Sequence, residues 1–130
     1  MCIRDRTTHT VFCLRTPVSL EATHFLCGIL NSFVMNLVVR MLMGGHVTTS
    51  LAEQLPVPVW DGRASQRRIA RLGRRLASRG HSTVLEGRLQ AQVAAAYGIN
   101  VVEFERIVNG FPLVSSELRE VSVRELRRIY

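Results

Sequence analysis

FLCGILNSFVMNLVVRMLM, residues 25–43, is the stretch on which the fold turns. It has nearly the length of a membrane-spanning helix and is mostly apolar. Asn31, Ser32, Asn36 and Arg40 interrupt it, however, and Gly28, Ser32, Asn36 and Arg40 recur every four residues. That spacing draws a small-and-polar stripe down one side of a helix that is otherwise apolar all round. An arginine at the middle of a bilayer costs on the order of 3 kcal/mol. The stretch therefore reads as a buried helix of a soluble protein, and a small membrane protein anchored by it is the reading displaced. The helix is expected to start near Leu20 or Glu21 and to run unbroken to about Met43, where Gly44-Gly45 stops it.

Upstream, Thr10 to Arg15 (TVFCLR) is rich in β-formers and ends before Pro17, which predicts a strand. Residues 1–6, MCIRDR, resemble a translated sequencing-adapter stretch, so a non-native leader is expected there, with the chain being the tail of something longer. Downstream, His46-Val-Thr-Thr predicts a short second strand or extended loop. Ser50 then caps a brief helical turn that ends at Leu55-Pro56-Val57-Pro58, because proline removes a donor and pushes its predecessor out of the helical region.

From Trp60-Asp61-Gly62 onward every signal is helical. Arg63 to Arg79 is closed by Gly80. Thr83 and Glu86 have capping-box spacing, with Leu85, Leu89 and Val93 as a seam and Gly98 as a stop. Asn100 and Glu103 form a second box, Phe104, Ile107 and Val108 face inward, and Asn109-Gly110 ends the helix. These two helices are expected to form an αα-hairpin, followed by a last helix over Ser116 to Tyr130. The fold expected is mostly α with a small β element, an α+β class. Residues 7–60 would form the edge of a larger core and 61–130 a basic helical tail.

The composition narrows function. The chain has 130 residues, 47% of them apolar and 21% charged, with a net charge of +7. This excludes a disordered tail, a collagen-like repeat and a disulfide-dense miniprotein. A complete cofactor-dependent enzyme with its own nucleotide-binding sheet would hardly fit in this length. All 17 basic residues are arginine. A GC-rich coding sequence accounts for that bias, but arginine is also the side chain that grips phosphate bidentately. Cys2, Cys13 and Cys27 are odd in number and lack paired short spacing, pointing to the cytosol rather than to a disulfide framework or zinc site. His9, His24, His46 and His81 are scattered without metal-ligand spacing. No Walker loop, GxGxxG, GxSxG or HExxH is present, and nothing resembles a catalytic centre.

The arginine helix is the strongest signal. Ile69, Leu72 and Leu76 make a narrow apolar seam; at about 100° per residue Arg63, Arg67, Arg71 and Arg74 fall opposite it. Arg68, Arg75 and Arg79 line one flank, and no acid occurs between Asp61 and Glu86. Such a face suits phosphate oxygens and binds nucleic acid by releasing counterions. It equally suits a solvated surface or an acidic neighbouring domain. Arg40 is a further candidate, although a cation there also complements the C-terminus of its own helix. Trp60 and Tyr97 could stack on bases or serve as core and capping residues.

Several motifs, taken in order, resemble the C-terminal region of the large adenine-specific DNA methylases of restriction-modification and phage-defence systems, including type IIG-like and BREX-type enzymes. The resemblance runs over roughly residues 7–115, through THTVFCLRTP at 8–17 and Phe25 to Pro58. It rests on Leu30-Asn31-Ser32-Phe33, on His46-Val47-Thr48, and on the exit Leu55-Pro56-Val57-Pro58. Tyr97-Gly98-Ile99, Glu103-Phe104 and Phe111-Pro112 complete it. In that family a methyl group passes from S-adenosylmethionine to the amine of a flipped adenine. The Asn/Asp-Pro-Pro-aromatic motif and glycine-rich cofactor loop of that chemistry are absent here, so no catalytic or cofactor residue carries over. The resemblance implies a cytoplasmic DNA-recognition and clamping fragment, with S-adenosylmethionine in the parent only. Its partners would be double-stranded DNA and the remainder of the methylase polypeptide, without a membrane. The candidate DNA contacts are Arg40, His46, Thr48, Arg63, Arg67, Arg71, Arg74 and Arg75. The alternative is a structural helical module that packs on a partner domain and has no DNA affinity.

Overall fold

In the computed structural model, residues 18–45 and 48–130 are described. Among them are seven helices: α1 (Leu20–Leu30), α2 (Phe33–Leu42), α3 (Thr49–Glu53), α4 (Ala64–Arg79), α5 (Thr83–Ala96), α6 (Val101–Asn109) and α7 (Ser116–Ile129). The expected α+β class is thereby overturned: the described residues contain no strand and the fold is all-helical. The expected strand at Thr10–Arg15 lies outside the described residues, as do His46 and Val47. Where the second strand was expected, Thr48 instead caps α3, its hydroxyl accepting from the Leu51 N–H at 3.1 Å. A β-branched residue followed by helix formers gives a local cap with no partner strand required, so β-propensity loses.

The single long helix is also corrected. Residues 20–42 form two helices bent by 64° at Asn31-Ser32. Ser32 is extended, at φ −85° and ψ 154°, and its hydroxyl accepts from the Met35 N–H at 3.1 Å while donating to the Ile29 carbonyl at 2.7 Å. The break is then sealed from across the molecule. Gln90 of α5, only 3% exposed, accepts from the Phe33 N–H at 2.7 Å and donates to the Asn31 carbonyl at 3.2 Å. Two backbone groups that a helix break would leave orphaned thus find side-chain partners. No single helix among the described residues is long and apolar enough to cross a membrane, although the bent pair together has the length and composition. Phe25, Ile29, Phe33, Val34 and Met35 of this pair are buried in the core.

The small-and-polar stripe has a packing reason at its first position. A Cβ on Gly28 would stand 2.8 Å from Ile69, and one on Gly73 would stand 2.8 Å from the His24 carbonyl. The two glycines let α1 and α4 cross at close range. At the stripe's far end Arg40 donates to the Gly110 carbonyl at 3.2 Å, and its guanidinium lies 4.1 Å from the centre of the Phe111 ring.

α5 is the central helix. Leu85, Leu89, Ala91, Val93 and Ala94 are buried on several of its sides, which is wider than the Leu85–Leu89–Val93 seam. Its main neighbours are α7 and α4, whereas α6 packs on α7 and α2, so α5 and α6 are joined by a turn without forming the expected hairpin. Gly87 marks the α5–α7 approach, where a Cβ would meet Val121 at 2.5 Å. The glycine stops and the Asn100 cap follow the sequence reading, whereas Ser50, expected as the cap of the short helix, lies inside α3 one position past Thr49, and Thr48 caps it. Asn100 and Glu103 form both bonds of their box, at 2.9 and 3.0 Å, and Gly80 ends α4 at φ +76°. At α5 the cap is Ser82 rather than Thr83, and Glu86 turns to His81 at 3.1 Å instead of to the backbone.

Candidate nucleic-acid interface

α4 has no carboxylate within its own span and no side-chain cap at Arg63. Its inner arc is held by Ile69, Ala70 and Gly73, all buried, with Leu72 and Leu76 half-buried against the core. The arginines therefore occupy the remaining arc, where no burial is available to them. Arg63 turns back on Asp61, donating to the carboxylate through Nε at 2.8 and 3.0 Å and also through Nη2. That hydrogen bonding holds the Asp61 carboxyl below the usual range and pushes the Arg63 guanidinium up. Arg67 lies 3.9 Å from Glu21 of α1, a loose and exposed pair of little energetic weight. Among the described residues, no carboxylate comes within 4.0 Å of Arg68, Arg71, Arg74, Arg75 or Arg79.

The flank of α4 opens on a groove of about 410 Å³ shared with α5 and α7. Arg68, Arg71 and Arg75 form one wall; Arg88 of α5 and Arg128 of α7 stand on the other, with Glu125. Leu72 and Ile129 give it open apolar surface over the buried Ala91. Glu125 is mostly buried, at 12% side-chain exposure, and takes Arg128 at 2.7 Å and Arg88 at 3.7 Å. Five guanidiniums thus surround one carboxylate that two of them already share. The groove can hold anionic oxygens. Among the described residues no cluster of three or more His, Cys, Asp and Glu side chains could hold a metal ion.

The sequence-predicted contacts do not all converge. Arg71 and Arg75 line the groove, while Arg63 at the N-cap of α4 and Arg67 and Arg74 within it lie away from its lining. Arg71 and Arg74 also border a shallow depression beside His24 and Glu21 of α1. Arg40 is held at the C-terminal end of α6 by Gly110 and Phe111, and Thr48 is occupied as the α3 cap. His46 lies outside the described residues. Trp60 rests on Phe25 with ring centres 5.3 Å apart, and the Tyr97 hydroxyl donates to the Pro56 carbonyl at 2.7 Å. Burial pushes the Tyr97 phenol up to about 12. Both aromatics are thus engaged in packing and bonding within the fold.

Arg88, Arg128 and Glu125 were missed in the sequence. Arg88 is the only basic residue of α5, and Arg128 lies forty residues further on, so no local spacing announces that both reach the flank of α4. Comparison of the chain with protein-family models, with curated proteins and with solved structures gives no match.

Proposed function

We propose that this chain is a DNA-contacting helical module from the C-terminal part of an adenine-specific methylase, gripping duplex backbone through α4 and transferring no methyl group by itself. The observation that carries this reading is that Arg68, Arg71, Arg74, Arg75 and Arg79 of α4 have no carboxylate within 4.0 Å among the described residues, with Arg88 and Arg128, both held by Glu125, facing them across the groove. Unpaired guanidiniums on one surface cost electrostatic self-repulsion, which a phosphate backbone relieves while releasing its counterions.

The motifs that resemble those of the methylases are read, in this proposal, as structural. Phe33 and Phe111, from the Leu-Asn-Ser-Phe and Phe-Pro motifs, touch with ring centres 5.2 Å apart. Tyr97 of the Tyr-Gly turn bonds Pro56 of the Leu-Pro-x-Pro exit. These contacts tie the motif residues to one another as a frame, and neither involves an arginine of α4.

The test is fluorescence anisotropy on a labelled duplex across a salt series. Changing Arg67, Arg71 and Arg74 together to Glu should weaken binding and reduce the slope of log K against log salt by about 2 to 3, at roughly 0.9 per lost phosphate contact. Equal affinity and slope in the variant at low salt refute the assignment.

A second reading draws on the end of α2, where Met41 is 76% exposed and Leu42 and Met43 follow it into solvent. Contiguous apolar surface of that kind fits an interaction module docking on the remainder of the methylase polypeptide. Self-association of the chain that Met41→Ser with Leu42→Ser abolishes, with no duplex binding, would favour it.

A further inference from the structure

The α4–α5–α7 groove differs from the outer arginines in shape and lining, and that difference points to a distinct ligand. We propose that the groove takes a single, unpaired nucleic-acid strand, seating its phosphates between Arg68, Arg71 and Arg75 on one wall and Arg88 and Arg128 on the other. This rests on the DNA-contacting reading of α4 and extends it.

Three features carry the inference. First, charge: Glu125 occupies Arg88 and Arg128, at 3.7 and 2.7 Å, and so holds that wall in place. Arg68, Arg71 and Arg75 remain without a carboxylate within 4.0 Å among the described residues, ready for an incoming anion. Second, lining: beside the guanidiniums the groove has open apolar surface, from half-buried Leu72 and exposed Ile129 over fully buried Ala91. A duplex keeps its bases paired inward and offers such a surface nothing to bury. An unpaired base presents its face, and arginine planes stack on it without regard to sequence. Third, spacing: from Arg68 to Arg75 the helix rises about 10 Å. That run matches about three stacked nucleotides at roughly 3.4 Å each. At about 410 Å³ the groove is within the range of small-ligand sites and takes the bulk of one base, with the neighbouring phosphates running along its arginine rim.

The experiment compares two charge-matched double variants at exposed positions of α4, Arg68→Gln with Arg75→Gln in the groove and Arg67→Gln with Arg74→Gln outside it. Binding of a labelled twelve-nucleotide oligo-dT and of a duplex of equal length is read by anisotropy, with thermal midpoints confirming that both variants fold. The groove variant should lose oligo-dT affinity about tenfold or more, while the outer variant stays within about twofold and loses chiefly duplex affinity. Equal loss of oligo-dT binding in both variants overturns the groove assignment and leaves the duplex reading standing. Binding of neither nucleic acid by the unaltered chain at low salt overturns both. Displacement of oligo-dT by polyglutamate at equal charge concentration also overturns it, identifying the groove as a seat for an acidic protein segment.

Discussion

Replacing Gln90 with Met removes the side-chain amide that seals the α1–α2 break while keeping its length and most of its volume. The Phe33 N–H, on a residue that is 7% exposed, loses an acceptor at 2.7 Å and has none in its own helix, being the first residue of α2. An orphaned buried donor costs about 1–3 kcal/mol. The Asn31 carbonyl loses a donor at 3.2 Å, but Asn31 is exposed and water can replace it, so only the net value of a hydrogen bond, about 1 kcal/mol, is added. The sum is about 2–4 kcal/mol. For a chain of this length that lowers the thermal midpoint by about 6–15 °C. With a slope of about 1.5 kcal/mol/M, the urea midpoint falls by about 1.3–2.7 M. The assay is urea unfolding followed by far-ultraviolet circular dichroism, with Gln92→Met as control. Gln92 sits two positions along the same helix, partly exposed, and the same change there should shift stability by less than about 0.5 kcal/mol. Equal midpoints for Gln90→Met and the unaltered chain would refute the claim that Gln90 holds the break. A rise in helical signal with retained stability would show that α1 and α2 can fuse into the straight helix their composition suggests.

Three further outcomes follow from the same contacts. Gly73→Ala puts a methyl group 2.8 Å from the His24 backbone carbonyl and should destabilise by about 1–3 kcal/mol, whereas Gly44→Ala, with nothing within 4 Å, should be near neutral in the same urea titration. Arg40→Ala removes the bond to Gly110 and the contact with Phe111; on an exposed side chain this should cost about 1 kcal/mol and leave the affinity for duplex unchanged, as anisotropy would report. Tyr97 has its pKa raised from 10.0 to about 12, so the folded state keeps a proton that the unfolded chain gives up. Its contribution is complete below pH 10 and lost as pH rises toward 12; urea midpoints across that window should fall more steeply for the unaltered chain than for Tyr97→Phe.

Helix limits were legible in the sequence because caps are local. The Asn100–Glu103 box spans four residues, and the Gly80 stop needs only a glycine able to take φ +76°, so both survive any packing arrangement. The arginine arc of α4 was legible for a related reason: a seam of Ile69, Leu72 and Leu76 leaves every arginine on the solvent side whichever helix covers the seam. The residues 25–43 misled, since their apolar character is compatible with one helix or two, and Ser32 can sit inside a helix or cap a new one. Gln90, fifty-seven residues beyond Phe33, decides between them by satisfying backbone that a break exposes. Likewise α5 carries buried residues on several sides, so its periodicity names no partner, and the preference for α7 over α6 comes from the close approach at Gly87. That pairing is what carries Arg88 and Arg128 to the flank of α4 and turns a basic helix face into a walled groove. Bonds closed within one turn of chain belong to the sequence alone. A site assembled from three helices exists only once burial has chosen which faces meet.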